Sequence, residues 1–316
     1  MSTCKVEMIQ ASRCKNTGKE IFTMVCEYPR VIHAQLLTHG VFSKNSSSTR
    51  AIPLKTAIQQ VRDNPSKVIW TENRAGMQGN VITDQHIVSR LNCKHRNELE
   101  NAISFVETLE AAGVHKQNAG RYLEPFQNIK IVLTATEWEN WDWLRIHEDA
   151  QGEIADLALA MKEARDNADI MEIGEGEWHV PFVGRVRTTD DKLNYVNTET
   201  SDASQINLSV EEAKAISVSV CAQTSYRKAD YSLEKALKMK GMLTTGHKVH
   251  ASPFEHQATT VPKLPSNTMP VSNFLMRMPK GVTHMDRAAT PCSGNFKQWI
   301  QLRQLIPNHD AAYDTY

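Results

Sequence analysis

"THGVFSKNSSSTR", residues 38–50, carries His39, Ser43, Asn45, Ser48 and Arg50, with Val41 and Phe42 the only bulky apolar residues among them. A mostly apolar stretch, residues 31–37, precedes it, and "AIPLKTAI" follows. So many small polar side chains straight after a buried element read in two ways. One is a Ser-rich surface loop leading into a helix. The other is an anion cradle, because hydroxyls, backbone N–H groups and a guanidinium fork suit a phosphate. No Gly-rich P-loop is present, which excludes a Walker-type site.

The whole chain sets the limits. Its 316 residues are enough for one large core or two modest ones. Lys+Arg and Asp+Glu each number 36, so the formal net charge is zero. Bulk charge therefore does not hold nucleic acid, although a local basic pocket remains open. No run approaches the roughly 20 apolar residues of a membrane span, and no signal-peptide core opens the chain. Cys4, Cys14, Cys26, Cys93, Cys221 and Cys292 form no C-x-x-C pair. That spacing argues against a disulfide framework or zinc knuckle and for a reducing cytoplasm.

Residues 29–37 fit a strand or a short buried helix. "PLKTAIQQVRDNP" reads as a helix stopped by Pro65. "RNELENAISFVETLEAAG" places Leu99, Ala102, Ile103, Val106 and Leu109 on one helical face, with Gly113 as C-cap. "NIKIVLTAT", 128–136, is the clearest strand. It runs into one long or two joined amphipathic helices carrying Leu144, Ile154, Leu157, Ala158 and Met161. Residues 185–206 have no period and read as a surface excursion or linker. Ser209 and Glu212 have capping-box spacing and open a helix through about Cys221. "YSLEKALKMKGML" reads as another helix, and residues 257–292 as a long irregular loop. Strong helices with few strands place the chain in the α/β or α+β class, as a single domain.

Three further segments could carry chemistry. "GHKVHASPFEHQAT", 246–259, holds three histidines, Ser252 and Glu255. His250, Glu255 and His256 are possible metal ligands, but Pro253 breaks the regular helix that H-E-x-x-H chemistry requires, so no metal is assigned. The commoner reading is a helix start with Ser252 as N-cap, Pro253 at N1 and Glu255 at N3. "RYLEP" (121–125) and "NWDWLRIHEDAQGEI" (140–154) bring Arg121 and Arg145. The nearby tryptophans 138, 141 and 143 suit core packing, while an arginine beside aromatics can also clamp a nucleotide.

Together these residues carry a resemblance. His39, Ser43, Asn45, Ser48 and Arg50 have the spacing H-x-x-x-S-x-N-x-x-S-x-R. This resembles the R-H-R-x-x-S-x-N-E-x-S-x-R-Y signature of the flavin-dependent thymidylate synthases, the ThyX family. Gln35, three residues upstream, matches as well. "HASPFEH" is similar to the family's H-x-[ST]-P-F-E-H, "CAQTSY" to A-R-V-S-Y, and "RYLEP" to R-x-x-x-P. "NWDWLRIHEDAQGEI" is similar to N-F-L-x-L-R…A-Q-x-E-I. The order differs, since the family's S-Y and S-P-F-E-H segments precede the histidine motif. The chain thus resembles a circularly permuted member of a kind associated with bacteriophages, with residues 294–306 linking the halves. Thr38, Gly40, Ser46 and Ala51 stand where the family has Arg, Arg, Glu and Tyr.

The resemblance implies a curved, mainly antiparallel sheet flanked by helices. It implies a homotetramer with sites at subunit junctions, located in the cytoplasm (of the host, for a phage protein). The substrate would be dUMP. A one-carbon unit would pass from methylenetetrahydrofolate to uracil C5, with reduction by FAD recharged from NADPH. By matching motif, Gln35, Ser48, Arg50, Arg121 and Arg145 take the substrate. Arg145 stabilises charge on the ring and Ser48 orients it. His39, Ser43, Asn45, Asn140, Ser225, His250, Ser252 and Glu255 take the flavin. Two alternatives stay open: a pyrimidine nucleotide hydroxymethylase acting on dUMP or dCMP for modified phage DNA, and a non-catalytic nucleotide-binding relative.

Overall fold

The first 29 residues build the centre of the sheet. Strands β1 (Lys5–Cys14) and β2 (Glu20–Pro29) pair antiparallel around a turn at Gly18, which adopts a positive φ of 71°. A 3-10 turn and the short helix α1 (His33–Leu37) follow. Of residues 30–37 only Ile32 and Leu36 are buried; Pro29 ends β2, and the rest of 29–37 resolves as the 3-10 turn and the short helix. The chain then forms β3 (Ser43–Ser46), α2 (Leu54–Asp63), α3 (Gln85–Ala111), α4 (Lys116–Ala119) and a 3-10 segment at 120–126. Strand β4 (Asn128–Ala135) lies where the apolar run predicts it. Helices α5 (Glu139–Arg145) and α6 (Gly152–Asp166) are two joined helices. Strand β5 (Ile170–Ile173) completes a five-stranded sheet of order β3-β4-β2-β1-β5. It is antiparallel except for the β1–β5 pair, in keeping with the mainly antiparallel expectation. The computed structural model describes residues 2–75, 79–199, 207–226, 228–245, 249–262 and 278–310.

Alternation along the strands splits the sheet into two unlike faces. Phe22, Met24, Cys26 and Tyr28 of β2, with Ile131, Leu133 and Ala135 of β4, face α5 and α6 and pack on Trp138, Trp141, Ile154, Leu157 and Met161. The opposite face carries a polar row in register. Ser43 lies opposite Thr134, Thr134 opposite Thr23 and Thr23 opposite Gln10, and all four are buried. A second core covers this face, built within a second group of elements. That group includes β6 (Trp178–His179), β7 (Gly184–Arg187), β8 (Leu193–Val196), β9 (Asn207–Leu208), α7 (Val210–Ala222) and α8 (Leu233–Thr244). It also includes β10 (Ala258–Thr260), β11 (His284–Met285), β12 (Pro291–Ser293), β13 (Phe296–Lys297) and β14 (Trp299–Gln301). Helix α7 is buried continuously from Ala213 to Cys221, which explains its nearly unbroken run of small and apolar residues. A third core joins α2 and α3 to residues 119–126.

Three expectations are corrected. The described part of 185–206 is not irregular: β7 and β8 pair there, and the alternating Leu193 and Tyr195 are buried. The remainder, 200–206, lies outside the described residues. The stretch 257–292 is not one loop, because its described part holds β10, β11 and the start of β12; residues 263–277 lie outside. Ser252 is not an N-cap. It is the first residue of a four-residue 3-10 turn, Ser252–Glu255, whose cap position is Ala251 without a side-chain cap bond. The buried Pro253 and Phe254 anchor that turn.

Candidate functional site

Strand β3 is the meeting point. It forms the sheet edge, and the segments 221–225 and 252–256, some 180–210 residues away in sequence, reach it through specific bonds. Asn45 Nδ2 donates to the carbonyl of Cys221 (3.2 Å), and the backbone N–H of Ser48 donates to Ser225 Oγ (2.8 Å). Gln301 Nε2 donates to both Ser43 Oγ (3.1 Å) and the carbonyl of Glu255 (3.2 Å). Ser43 Oγ in turn donates to Asn295 Oδ1 at 3.1 Å, and Asn295 Nδ2 donates to the carbonyl of Val41 at 3.0 Å. Asn295 reaches Ser43 because Gly294 turns the β12–β13 hairpin with φ +57°. A Cβ there would also lie only 2.9 Å from Gln301 Oε1. The Glu255 carboxylate pairs with Arg303.

His39 and Arg145 close the other end of β3. Arg145 Nε donates to His39 Nε2 (3.1 Å), so the imidazole is neutral with its proton on Nδ1. Burial, then Arg145, then Lys44 all push His39 below the ordinary histidine range. Its ring meets Trp141 edge-on at 4.7 Å and stacks on Phe42 at 6.0 Å. Trp138 and Trp141 are core residues and Trp143 is exposed. Lys44 Nζ donates to the carbonyls of His39 (2.9 Å) and Leu37 (3.3 Å). Burial lowers its pKa, while Glu255 opposes that shift. Gln35 Nε2 donates to Gln151 Oε1 at 2.6 Å, tying α1 to the start of α6.

The polar row on the sheet continues into a hydrogen-bonded chain that sequence reasoning did not find. Arg185 donates to Ser12 Oγ (2.7 Å), and Ser12 meets His179 Nδ1 (2.7 Å). His179 Nε2 meets Thr23 Oγ1 (2.8 Å), Thr23 meets Thr134 (2.7 Å), and Thr134 meets His256 Nδ1 (2.9 Å). The guanidinium can only donate, and the order of bonds that also gives the Ser12 proton an acceptor runs away from it. Ser12, having accepted from Arg185, gives its proton to His179 Nδ1. His179 then donates from Nε2 to Thr23, Thr23 to Thr134, and Thr134 to His256 Nδ1. The reverse order would strand the buried Ser12 proton as well. In that order His256 is the Nε2–H tautomer, and its Nε2 is buried with no partner among the described residues. Burial drives His256 down to about 3 and His179 well below the ordinary range, so both stay neutral.

The structure thus brings together His39, Arg145, Ser43, Asn45, Ser48, Ser225 and the backbone of Glu255. Ser43, Asn45 and Glu255 spend their side chains on protein partners, so direct flavin contact through them is not what the geometry displays. Ser48, Arg50, Asn140, His250 and Ser252 are exposed. Arg121 stands apart: it lines a cleft of about 410 Å³ with Arg30, His33 and Glu124, where Arg30 and Glu124 pair at 3.1 Å. Ser225 lines a different cleft, about 340 Å³, with Ser47, Asn64, Gln127, Lys130 and Tyr226. Asn295, Gln301 and Arg303 were legible only as parts of a linking tail. Among the described residues no cluster of three or more His, Cys, Asp or Glu is arranged to hold a metal. No described helix is long and apolar enough to cross a membrane.

No family model matches the chain, and no curated protein matches it. Among solved structures it is similar to a UMP/dUMP methylase, PolB from Streptomyces cacaoi, in its 5-Br dUMP complex, with 16% identity and a TM-score of 0.41. The 5-Br UMP complex of the same protein gives 15% and 0.42. Each comparison covers 54% of this chain and 92% of that one. Values this low do not establish a shared fold.

Proposed function

We propose that the chain is a flavin-dependent thymidylate synthase-like enzyme. It would transfer a one-carbon unit from methylenetetrahydrofolate to C5 of dUMP and form dTMP, with NADPH as reductant. The observation that supports this reading is the convergence on β3 of segments that resemble parts of one family's site yet lie up to about 200 positions apart. Their permuted order leaves no local reason for them to meet. FAD, when bound, would supply the hydride. The exposed Ser252, His250 and Asn140, with the half-buried Ser225, would hold it. The buried Ser43 and the half-buried Asn45 and Glu255 would act one step back by fixing β3 against residues 221–225 and 252–256. The Nε2–H of His256, unpartnered among the described residues, is a buried donor beside that junction, suited to a ligand acceptor. Arg145 and Arg50 would bind the anionic nucleotide, with Gln35 and Ser48 orienting it. Arg121, in its separate cleft, would serve a site completed by another copy in a homotetramer.

Titration of the purified chain with FAD, followed by flavin fluorescence, tests this. Saturable quenching supports the reading. Absence of quenching at excess FAD removes it in favour of a non-catalytic nucleotide-binding relative.

A further inference from the structure

Helix α3 (27 residues, about 40 Å long) is divided by charge. Residues 85–97 contain Arg90, Lys94 and Arg96 and no carboxylate. Residues 98–111 contain Glu98, Glu100, Glu107 and Glu110 and no lysine or arginine. The last turn carries only acid, the sign that the helix dipole disfavours. None of residues 85–98 is buried; Asn92 and His95 touch Trp70 and Phe126 on one side, and the buried anchors Leu99, Ile103 and Val106 lie farther on. Among the described residues no salt bridge reaches Arg90, Lys94, Arg96 or Glu98, although Glu100 and Glu107 lie 3.8 and 3.6 Å from Arg62. Lys94 and Glu98 stand one turn apart with the cation first, the poorer order for pairing within a helix.

Six exposed residues, Ile87, Arg90, Lys94, Glu98, Asn101 and Phe105, recur at spacings of three and four and so form one stripe. It begins and ends on an exposed apolar side chain, Ile87 at 37% and Phe105 at 45% exposure, the latter edge-on to the exposed Tyr122.

We propose that this stripe docks on α3 of a second copy of the chain, antiparallel and centred at the level of Arg96. That register sets Lys94 opposite the other copy's Glu98, Glu98 opposite its Lys94, and each Ile87 opposite Phe105. Twofold symmetry makes every contact twice. The occupant follows from the charge. A basic half and an acidic half on one helix complement each other only when the partner runs the opposite way. A nucleic acid would cover the basic half and meet four glutamates beyond it.

Sedimentation equilibrium of the full chain at low salt tests the pairing with charge reversals at exposed positions. Lys94→Glu alone and Glu98→Lys alone should each weaken self-association by about tenfold or more. The double variant K94E/E98K should regain it. An equimolar mixture of the two single variants should associate more tightly than either alone. Self-association unchanged by both single reversals overturns the proposal. So does a double variant as weak as the singles, or a wild-type chain that stays monomeric while its basic half binds a labelled oligonucleotide.

Discussion

Arg145 and Arg50 differ in setting: one donates to His39 and the other is exposed with no ion pair among the described residues. Neither anchors a core. Replacing either with Ala should weaken dUMP binding by about 1.5–3 kcal/mol, the scale of a charge-assisted hydrogen bond, while the melting temperature barely moves. Calorimetric titration beside a thermal melt separates the outcomes, and a large fall in melting temperature at unchanged affinity would make them structural residues. The histidines yield a pH dependence. His256 and His179 are held neutral in the fold, whereas in the unfolded chain each takes a proton below about pH 6.5. The unfolded state then binds more protons, so stability is complete above that pH and falls as pH drops toward the folded value, about 3 for His256. Each contributes a loss of about 2 kcal/mol by pH 5. Urea unfolding at pH 7 and pH 5 measures this, and a flat profile would contradict the buried neutral assignment. Nitrogen-15 shifts of His256 should report the Nε2–H tautomer.

Helix α7 delivers Cys221 and Ser225 to β3, and its start is a complete capping box between Ser209 and Glu212. Ser209→Ala should cost about 1 kcal/mol, read as a lower urea midpoint with an unchanged slope. Thr134→Val removes the link between Thr23 and His256 and leaves a buried ring nitrogen unpartnered, at a cost of about 1–3 kcal/mol. A midpoint equal to that of wild type would show the chain of bonds to be idle. Elements with a strong single signal were legible in sequence. Strand β4 carries the apolar run Ile131, Val132 and Leu133, α7 has its capping box, and Gly113 ends α3 with φ +78°. Strands β1 and β2 were not, because the buried residues of their second face include Gln10, Ser12 and Thr23, which dilute the apolar alternation. The sequence period of α3 begins near residue 96, yet the helix starts at Gln85, capped by Asp84. No residue of its first half is fully buried, so no apolar period marks it.

At the scale of the molecule, the segment order was readable but the contacts that give it meaning were not. Motif spacing named Ser43, Asn45, Ser48, Ser225 and Glu255. It gave no sign that Gln301 and Asn295, about 250 residues from Ser43, would bond to it. Nor did it show that Ser43 would be buried rather than ligand-facing. Those facts come from long-range side-chain bonds between the β3 edge and the C-terminal segment, which no local pattern encodes. The same junction carries the functional claim, and Thr38, Gly40 and Ser46 beside it leave two products to be told apart. The most direct test is the mass of the nucleotide formed from dUMP when the purified chain is supplied with methylenetetrahydrofolate, FAD and NADPH. The account predicts dTMP, one methyl group replacing the hydrogen at C5. Recovery of 5-hydroxymethyl-dUMP would contradict the thymidylate assignment, and unchanged dUMP would contradict the enzyme itself.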